Sequence, residues 1–377
     1  MKIGMVCYAS VGGSGVVATE LGHALAERGH HVHLISSERP FRLRQATPRL
    51  VFEPVRVPAY PLFREPQYLL ALATTLARVA REQELDIVHA HYAVPHATAA
   101  YLADQMLSEE SARPRTVTTL HGTDITLVGS DPSYADVVAF SIERSHAVTA
   151  VSESLRADTV AALGVQREIR VIPNFLDCGE YRRRTDPNRR AQICPQATCD
   201  ALVVHMSNFR PVKRVDVAFE VFRRVRRRVR ARFLLIGDGP VRDEIEKLAS
   251  QHGMSDDVIF LGEQHDPVPW LSVADLFLLP SAQESFGLAA LEAMACEVPV
   301  IASKVGGLPE IIEDGVTGFV CPPEDVEAMA DRAIELLSDP SRRAAMGRAG
   351  AEMVRTRYCT DRIVPLYEAA YQDVSRR

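Results

Sequence analysis

The chain has 377 residues, of which 47% are hydrophobic and 24% charged, and its formal net charge is −6. This length predicts two domains of a soluble globular protein, and the negative charge argues against nucleic acid as the main partner. No apolar run reaches the roughly 18 residues that a membrane span needs, and the N-terminus lacks the pattern of a signal peptide. We therefore expect a cytoplasmic protein with neither membrane nor nucleic acid as a partner.

The seven cysteines are scattered along the chain and odd in number. Only Cys194 and Cys199 are close in sequence, and a lone C-x4-C is poor spacing for zinc. The pattern predicts free thiols in a reducing compartment.

The first half of the chain alternates short apolar runs with stretches of helical periodicity. Between the first two runs, VVATELGHALAERGH keeps helical spacing and meets Gly29 as a stop signal. The runs are typical of strands, and they are KIGMVCY, HVHLIS, VFEPVRV, DIVHAHY, TVTTLHG and AVTAVS.

The second half begins a new series of the same kind. A change to Asn, Pro, Asp and Arg in VIPNFLDCGEYRRRTDPNRR predicts a boundary that divides the chain into domains 1–172 and 173–360. The strands predicted after it are ALVVHMSN, RFLLIGDG, VIFLGE, LFLLPS, PVIAS and GFVC. Because strands alternate with helices, we expect an α/β fold of two doubly wound, Rossmann-like domains that face each other across a cleft.

An arginine-rich run, RRVRRRVRAR (223–232), interrupts the acidic character of the chain. Phe222, Val225 and Val229 keep helical spacing within and beside it. The run is therefore interpreted as the solvated face of an amphipathic helix, with a phosphate- or membrane-facing patch as the alternative.

The segment VGGSGVVATEL (11–21) follows the first predicted strand and opens a helix. Its glycines, Gly13 among them, allow close backbone approach, and a helix N-terminus attracts anions. The dinucleotide-binding pattern G-x-G-x-x-G fails at Val17 and Ala18, with Glu38 only a loose match for its acidic residue. A tight turn, an anion or substrate site and an NAD site remain the three interpretations.

Histidines and hydroxyls crowd the ends of two further strands, in HAHYAVPHA (89–97) and HGTD (121–124). A single histidine is more often structural, but two such clusters on neighbouring strands should meet in one place and indicate function. Zinc-binding spacing such as H-E-x-x-H does not occur. The Gly13–Ser14–Gly15 sequence is an incomplete hydrolase nucleophile elbow.

Two cations, Arg210 and Lys213, stand in the loop SNFRPVKR (207–214) after the first strand of the second domain. Cations in this position would neutralise a phosphate, and a solvated loop is the alternative. The glycine motifs GDGP (237–240) and GGLPE (306–310) are either turns or ligand contacts.

Glu284 and Glu292 are the only acidic residues among the first twelve of ESFGLAALEAMACEVPVIAS (284–303), an otherwise apolar segment. A buried, unpaired carboxylate is costly. Ser285–Phe286–Gly287 would open a helix with free N–H groups, but a helix N-terminus stabilises a carboxylate by only about 0.3–1 kcal/mol. Since a carboxylate can accept hydrogen bonds from both hydroxyls of a diol, we expect a sugar or ribose as the partner.

The E-x7-E spacing of Glu284 and Glu292, followed by AMACEVPVIAS, resembles the signature of retaining GT-B glycosyltransferases of family four. GGSG, HGTD, PNFLD, GDGP and GGLPEII fit the same family, and the resemblance runs essentially from end to end. CYASVGGSGVVATELG, HAHYAVPHA, TTLHGTDIT and SNFRPVKRV are similar to the members that transfer N-acetylglucosamine from UDP-GlcNAc to L-malate in bacillithiol biosynthesis.

For the sugar donor, this resemblance implies roles for several residues of the second domain and for Gly13 of the first. Glu292 would bind the ribose diol and Glu284 the sugar hydroxyls, while Arg210 and Lys213 hold the diphosphate. Relatives have an arginine where this chain has Asn208, so the role of Arg210 is the less secure. The remaining expected donor contacts are Gly13, Ser285, Phe286, Gly287 and Leu288.

For the acceptor, the resemblance implies a pocket in the first domain. His121 would lie near the reacting carbon, and Arg42 is a candidate partner for the malate carboxylates. The other expected acceptor contacts are Ser14, Tyr92, Thr123 and Asn174. In the family, a C-terminal helix at about 361–377 packs back on this domain.

The chain contains no Asp-x-Asp motif, which many sugar transferases use to hold a metal. We therefore expect no metal or other cofactor, with cations and helix N–H groups stabilising the leaving UDP. No side chain is placed as an attacking nucleophile, so the departing phosphate would take the proton of the malate hydroxyl. The sequence does not decide whether the protein forms a homodimer.

Three other functions are compatible with the same motifs. One is a family-four glycosyltransferase with a lipid, polysaccharide or other small acceptor. The second is a UDP-GlcNAc epimerase, which would need no acceptor pocket. The third is a non-catalytic regulator that binds a UDP-sugar without consuming it.

Overall fold

The computed structural model describes residues 1–9, 12–43, 47–57, 67–110 and 113–376. The chain forms two compact units, one of Met1–Asn174 with Asp361–Arg377 and the other of Phe175–Thr360. The backbone therefore passes from one unit to the other twice, and the first passage is close to the boundary expected after residue 172.

The first unit is built on a parallel sheet. Its strands are β1 (Lys2–Val6), β2 (His31–Ser36), β3 (Leu50–Pro54), β4 (Ile87–His91), β5 (Arg115–Leu120), β6 (Ala147–Ala150) and β7 (Ile169–Val171). Within the described residues they lie in the order β3-β2-β1-β4-β5-β6-β7, with parallel pairing between neighbours. The order reverses between β1 and β4, and ligands of such sheets bind at that reversal.

Helices connect these strands. They are α1 (Gly13–Glu27), α2 (Tyr68–Gln83), α3 (Thr98–Met106), α4 (Pro132–Arg144) and α5 (Glu153–Leu163), with π-helical turns at Ala93–Ala97 and Asp124–Val128. Local signals set their ends: Ser152 caps α5 by accepting the Leu155 N–H at 3.1 Å, and Gly164 ends it with φ of +62°. On one face of the sheet, α2 and α3 bury an apolar core that includes Leu72, Leu76 and Val88.

The second unit repeats this architecture. Its strands are β8 (Ala201–Met206), β9 (Ala231–Ile236), β10 (Val258–Gly262), β11 (Leu276–Leu279), β12 (Val300–Ser303) and β13 (Gly318–Cys321). In the part of the chain that is described, their order is β10-β9-β8-β11-β12-β13, again with parallel pairing. The two parallel sheets confirm the predicted α/β class, and the twelve predicted strands are present; only β7, with three residues, was not predicted.

The helices of the second unit are α6 (Pro187–Ile193), α7 (Val215–Arg226), α8 (Arg242–Gln251), α9 (Val268–Leu271), α10 (Leu288–Ala295), α11 (Leu308–Ile311), α12 (Val326–Ser338) and α13 (Pro340–Arg357), with a 3-10 turn at Pro211–Lys213. The amphipathic interpretation is confirmed for the first part of the arginine run, because Phe222 and Val225 of α7 are fully buried. The helix ends at Arg226, however, and the run continues through a turn into β9. Arg226 and Arg230 instead pair with Asp257 at 2.9 Å and Asp200 at 2.6 Å.

The C-terminal helix, Thr360–Ser375, makes several contacts within the first unit. The hydroxyl of Tyr371 lies 2.8 Å from Nδ1 of His89, and Glu368 accepts a hydrogen bond from Arg28 at 2.8 Å. None of the helices in the described ranges is both long and apolar enough to cross a membrane.

The prediction of free thiols is wrong for four of the seven cysteines. Cys178 is bonded to Cys359, and Cys194 to Cys199. The buried Cys7, Cys296 and Cys321 are free.

Backbone pairing explains the first of these disulfides. Cys178 and Cys359 are 181 residues apart in sequence, yet their Cα atoms are 5.6 Å apart. Leu176 donates its N–H to the Tyr358 carbonyl at 2.9 Å and accepts that of Thr360 at 3.0 Å. The two segments in which the chain enters and leaves the second unit thus run side by side, a proximity that sequence spacing does not reveal.

Candidate functional site

Two loops at the carboxyl edge of the first sheet carry the expected acceptor-side residues Tyr92 and His121. The loops follow β4 and β5, which are adjacent strands in parallel register. The centroids of the Tyr92 and His121 rings are 5.3 Å apart, and Nε2 of His121 is 2.9 Å from Nδ1 of His91. The two motifs therefore meet in one place, as expected from their positions after neighbouring strands.

His121 is one of four histidines in this cluster, and the only one with exposed surface; His89, His91 and His96 are fully buried. Burial lowers the pKa of His121 to about 3, and the proximity of His96 acts in the same direction. His121 is therefore neutral at physiological pH. A neutral imidazole donates one hydrogen bond and accepts another, so His121 can orient a hydroxyl but cannot neutralise an anion.

Asp124 links the two loops, a role that its place in HGTD did not predict. Its side chain is buried, and one oxygen accepts the backbone N–H of Ala93 at 3.2 Å. The other oxygen accepts the N–H groups of Gly122 at 2.9 Å and His121 at 3.3 Å. Burial raises the pKa of Asp124 to about 6, and these backbone N–H groups oppose the rise.

The glycine-rich segment after β1 leads into α1, which begins at Gly13. A Cβ placed on Gly13 would meet no atom of the described residues within 4 Å, so packing does not require glycine there. Ser14, in the first helical turn, is buried. Close packing by the described residues thus does not explain glycine at this position, and the anion- or substrate-binding interpretation stays a prediction.

Three further expected acceptor residues lie in the same unit. Thr123 is partly buried and directly precedes the turn Asp124–Val128. Asn174 is buried, and its Oδ1 has no hydrogen-bond partner among the described residues. Arg42 is partly buried in the turn after β2. Their contacts with an acceptor stay predictions.

In the second unit, the predicted residues Lys213 and Glu284 form an ion pair. Nζ of Lys213 lies 2.8 Å from both carboxylate oxygens of Glu284, and the two side chains are 21% and 13% exposed. Lys213 follows β8 and Glu284 follows β11, the adjacent strands between which the sheet order reverses. The sequence led us to expect a sugar or ribose as the partner of a carboxylate in this segment. In the structure, Glu284 instead pairs with a lysine 71 residues away in sequence.

Arg210 is not part of this ion pair. It is exposed at the start of the same loop, and its carbonyl accepts the Lys213 N–H at 2.9 Å. Among the described residues it has no carboxylate partner within ion-pair distance. Its expected contact with the diphosphate stays a prediction.

Two glycine motifs hold the backbone around these residues. A Cβ on Gly306 would lie 1.8 Å from the Glu284 carbonyl oxygen, and the Gly307 N–H donates to that same oxygen at 3.0 Å. In GDGP, a Cβ on Gly237 would lie 1.9 Å from the carbonyl oxygen of Ser207. Both motifs have a packing role, and whether they also contact a ligand stays open.

Glu292 lies on the buried side of α10, where its side chain is 3% exposed. Burial raises the pKa of Cys296 to about 12, and the negative charge of Glu292 acts in the same direction. Gly287, with φ of +99°, precedes Leu288 at the start of the helix, while Phe286 is buried beside it. Ser285 is partly buried in the same turn.

The structure adds polar groups that the sequence patterns did not single out. His205 is buried in β8, where its Nδ1 lies 2.9 Å from the Leu278 carbonyl and its Nε2 lies 2.8 Å from the Ser207 hydroxyl. Within the described ranges, three buried oxygens at the ends of β8, β11 and β12 have no hydrogen-bond partner: Asn208 Oδ1, Ser281 Oγ and Ser303 Oγ. Asn208 was noted in the sequence only as a departure from the arginine of relatives, whereas Ser281 and Ser303 follow or end apolar runs and belong to no motif.

A metal site is not found in the part of the chain that the structure describes. No group of three or more His, Cys, Asp or Glu side chains there is arranged to hold a metal ion. In the histidine cluster, His89 is hydrogen-bonded on both ring nitrogens, to Tyr371 and Thr119. Metal independence stays a prediction.

Comparison with known proteins identifies the family. Residues 11–180 match the family model described as Glycosyltransferase Family 4, and residues 193–353 match that described as Glycosyl transferases group 1. The N-acetyl-alpha-D-glucosaminyl L-malate synthase of Bacillus anthracis is 46% identical over 376 residues, which cover 100% of this chain and 98% of the relative.

Two solved structures share the fold at low sequence identity. Sucrose-phosphate synthase from Thermosynechococcus elongatus superposes with a TM-score of 0.82 at 23% identity, covering 99% of this chain and 98% of that one. HepE from Anabaena, in complex with UDP-glucose, gives a TM-score of 0.80 at 21% identity, covering 99% of this chain and 100% of that one. Together with the full-length relative, these matches show that the chain belongs to the family-four glycosyltransferases and has their GT-B fold.

Proposed function

We propose that this glycosyltransferase transfers N-acetylglucosamine from UDP-GlcNAc to the hydroxyl of L-malate, giving GlcNAc-α-malate and UDP with retention at the anomeric carbon. The observation that carries the proposal is the 46% identity, over the whole chain, to a relative named for this product. In the pathway that the sequence resemblance implies, this is the first step of bacillithiol biosynthesis.

The donor side of the proposal rests on the second unit. UDP-GlcNAc has a diphosphate, and Lys213 with the exposed Arg210 supplies two cations at the switch point of the sheet. Glu284 already lies against Lys213 at 2.8 Å, so a sugar held by its carboxylate would have its phosphate close to the cation. Glu292 receives the ribose diol, and the start of α10 at Leu288 adds N–H donors for the phosphate.

The acceptor side rests on the first unit. His121 is neutral and retains exposed surface, so its ring can orient the malate hydroxyl without repelling or binding its carboxylates. The hydroxyl groups of Tyr92, Thr123 and Ser14, which belong to the same unit as His121, are the further proposed contacts for malate. Arg42 is the proposed cation for the malate carboxylates.

The reaction step follows from the charges. As the bond between the anomeric carbon and the UDP oxygen breaks, negative charge grows on the diphosphate, where Lys213 and Arg210 stabilise it. The malate oxygen bonds to the anomeric carbon on the same face, and its proton passes to the departing phosphate oxygen. Since these side chains supply the stabilising charge, we propose that the reaction runs without a metal.

We further propose that the enzyme works in the cytoplasm on soluble substrates, apart from any membrane. The arginine run is the most basic segment of the chain, and four of its seven arginines pair with carboxylates, as the Arg226–Asp257 and Arg230–Asp200 contacts illustrate. A lipid acceptor would favour a free basic surface instead.

One experiment separates this function from its rivals. The protein is incubated with UDP-GlcNAc in the presence and in the absence of L-malate, and released UDP and new glycoside are measured. UDP release that depends on malate supports the proposal. Epimerisation without malate indicates an epimerase, binding without turnover indicates a regulator, and turnover only with another acceptor indicates a different transferase.

Lys213→Ala provides the matching test of the donor site. We expect its turnover to fall by at least 100-fold, since removal of one preorganised electrostatic donor costs about 10²–10³ in rate. Circular dichroism should show an unchanged fold. Near-normal turnover would remove Lys213 from the diphosphate site.

A further inference from the structure

Tyr92 has a backbone conformation that its side chain does not favour. Its φ is +99° and its ψ 142°, a region that residues other than glycine rarely adopt. Such a conformation persists only where the surrounding contacts enforce it. On one side, the Tyr92 N–H donates to the Thr119 carbonyl at 3.0 Å, and the Ala97 N–H donates to the Tyr92 carbonyl at 3.1 Å.

On the other side, the constraint comes from the next loop. The N–H of Ala93, the residue after Tyr92, donates to one carboxylate oxygen of Asp124 at 3.2 Å. The second oxygen of Asp124 accepts the N–H groups of Gly122 and His121. One carboxylate therefore fixes the peptide after Tyr92 relative to the peptide before His121.

Only an ionised carboxylate satisfies this arrangement. All three of its partners are N–H donors, and a carboxylate accepts on both oxygens, whereas an amide presents one oxygen and one NH₂. Asp124 is 1% exposed and has no ion-pair partner among the described residues, so a buried charge is retained there without a cation. A buried charge without a cation is costly. We therefore infer that the hydrogen bonds of this carboxylate to the two loops have a function.

We propose that Asp124 is a positioning residue that sets the acceptor pocket by holding Tyr92 and His121 in register. The inference rests on the proposed function, since Tyr92 and His121 are its acceptor-side residues. Asp124 itself touches no substrate. It acts through the backbone of the two loops, so its loss should affect malate much more than UDP.

The test compares Asp124→Asn with Asp131→Asn. Both changes preserve volume and remove one negative charge from the first unit; Asp131 also accepts a backbone N–H, that of Ser133 at 2.8 Å, but at an exposed helix cap. For Asp124→Asn we expect KM for malate to rise at least tenfold, with Kd for UDP changed less than twofold. For Asp131→Asn, we expect both constants to stay within twofold of wild type.

A structural readout accompanies the kinetics. Amide hydrogen exchange at Ala93 should accelerate at least tenfold in Asp124→Asn and stay unchanged in Asp131→Asn. An unchanged malate KM, or an equal loss of malate and UDP affinity, overturns the proposal. If the wild-type enzyme does not use malate, the proposed function fails, while exchange at Ala93 still tests the link between the loops.

A second variant covers the case in which Asp124→Asn does not fold. Asp124→Glu retains the two acceptor oxygens but displaces them by one methylene. We expect malate KM to rise at least threefold, with the UDP Kd unchanged. A wild-type malate KM in this variant would overturn the role of Asp124.

Discussion

The ion pair between Lys213 and Glu284 implies a competition that calorimetry can measure. Without donor, Lys213 is neutralised by Glu284; with donor, the proposed function assigns the same cation to the diphosphate. Bound UDP must therefore displace or share a carboxylate that already lies 2.8 Å from Nζ. Glu284→Gln removes this competitor and keeps the shape of the side chain.

The size of the effect follows from the geometry of the pair. Two unit charges at about 3 Å and an effective dielectric constant of 20 attract by roughly 6 kcal/mol. Desolvation and competing water reduce the net value, and hydrogen bonds to charged groups contribute about 1.5–3 kcal/mol when buried. Because these side chains are 21% and 13% exposed, we take a net of about 1–2 kcal/mol, which corresponds to UDP binding about 5–30-fold tighter in Glu284→Gln.

The assay titrates UDP into wild type, Glu284→Gln and Glu335→Gln. Glu335 lies in the same unit and pairs with Arg332 at 2.9 Å, so its change frees a cation elsewhere and controls for net charge. We expect tighter UDP binding only in Glu284→Gln, together with at least a 100-fold loss of transfer, since the sugar hydroxyls lose their carboxylate. Unchanged or weaker UDP binding in Glu284→Gln would refute the competition.

Three further predictions concern the glycine loop, the metal and acid stability. In urea unfolding, Gly306→Ala should destabilise the protein by about 2 kcal/mol more than Gly315→Ala. Both glycines have positive φ, but only at Gly306 would a Cβ meet the Glu284 carbonyl oxygen, at 1.8 Å. Equal losses of stability in the two variants would contradict this steric argument. Treatment with EDTA should leave turnover unchanged, and a strict Mg²⁺ requirement would contradict the metal-free reaction. The urea midpoint should fall as pH drops from about 6.5 towards 4. Burial holds the pKa values of several histidines at about 3 or 4, so in this pH range the unfolded chain binds protons that the folded chain does not. Each such histidine lowers the free energy of unfolding by up to about 1.4 kcal/mol per pH unit. The histidines are His89, His96, His121 and His205. Asp124 has a raised pKa of about 6, so between pH 3.8 and 6 its effect on stability is opposite and offsets that of one histidine. A urea midpoint that rises on acidification would contradict this prediction.

The sequence predicts the strands of both sheets well because each strand is a short apolar run bounded by polar or glycine residues. The exception, β7, spans only Ile169–Val171, which is too short to show a pattern of its own. Lys213 and Glu284 were both predicted as site residues, but their pairing was not. It depends on β8 lying beside β11, which is a property of strand order and is not visible in spacing along the chain.

The sequence did not predict contacts that depend on distant parts of the chain. His205 lies inside an apolar strand, and its two hydrogen bonds join groups that only the folded sheet brings together. The bond between Cys178 and Cys359 spans 181 residues and follows from the backbone pairing of distant segments. Asp124 was seen within HGTD, but its role depends on the Ala93 N–H of another loop.

The side-by-side path of the chain at Leu176 and Tyr358 also has a use in engineering. Residues 175–360 form a continuous insertion whose two ends are joined by backbone hydrogen bonds and a disulfide, while the first unit is completed by the C-terminal helix. The whole insertion can therefore be exchanged as a cassette with that of another family member, with its entry and exit points already aligned. Under the proposed function, a chimera of this kind would combine the nucleotide-sugar preference of one enzyme with the acceptor preference of another.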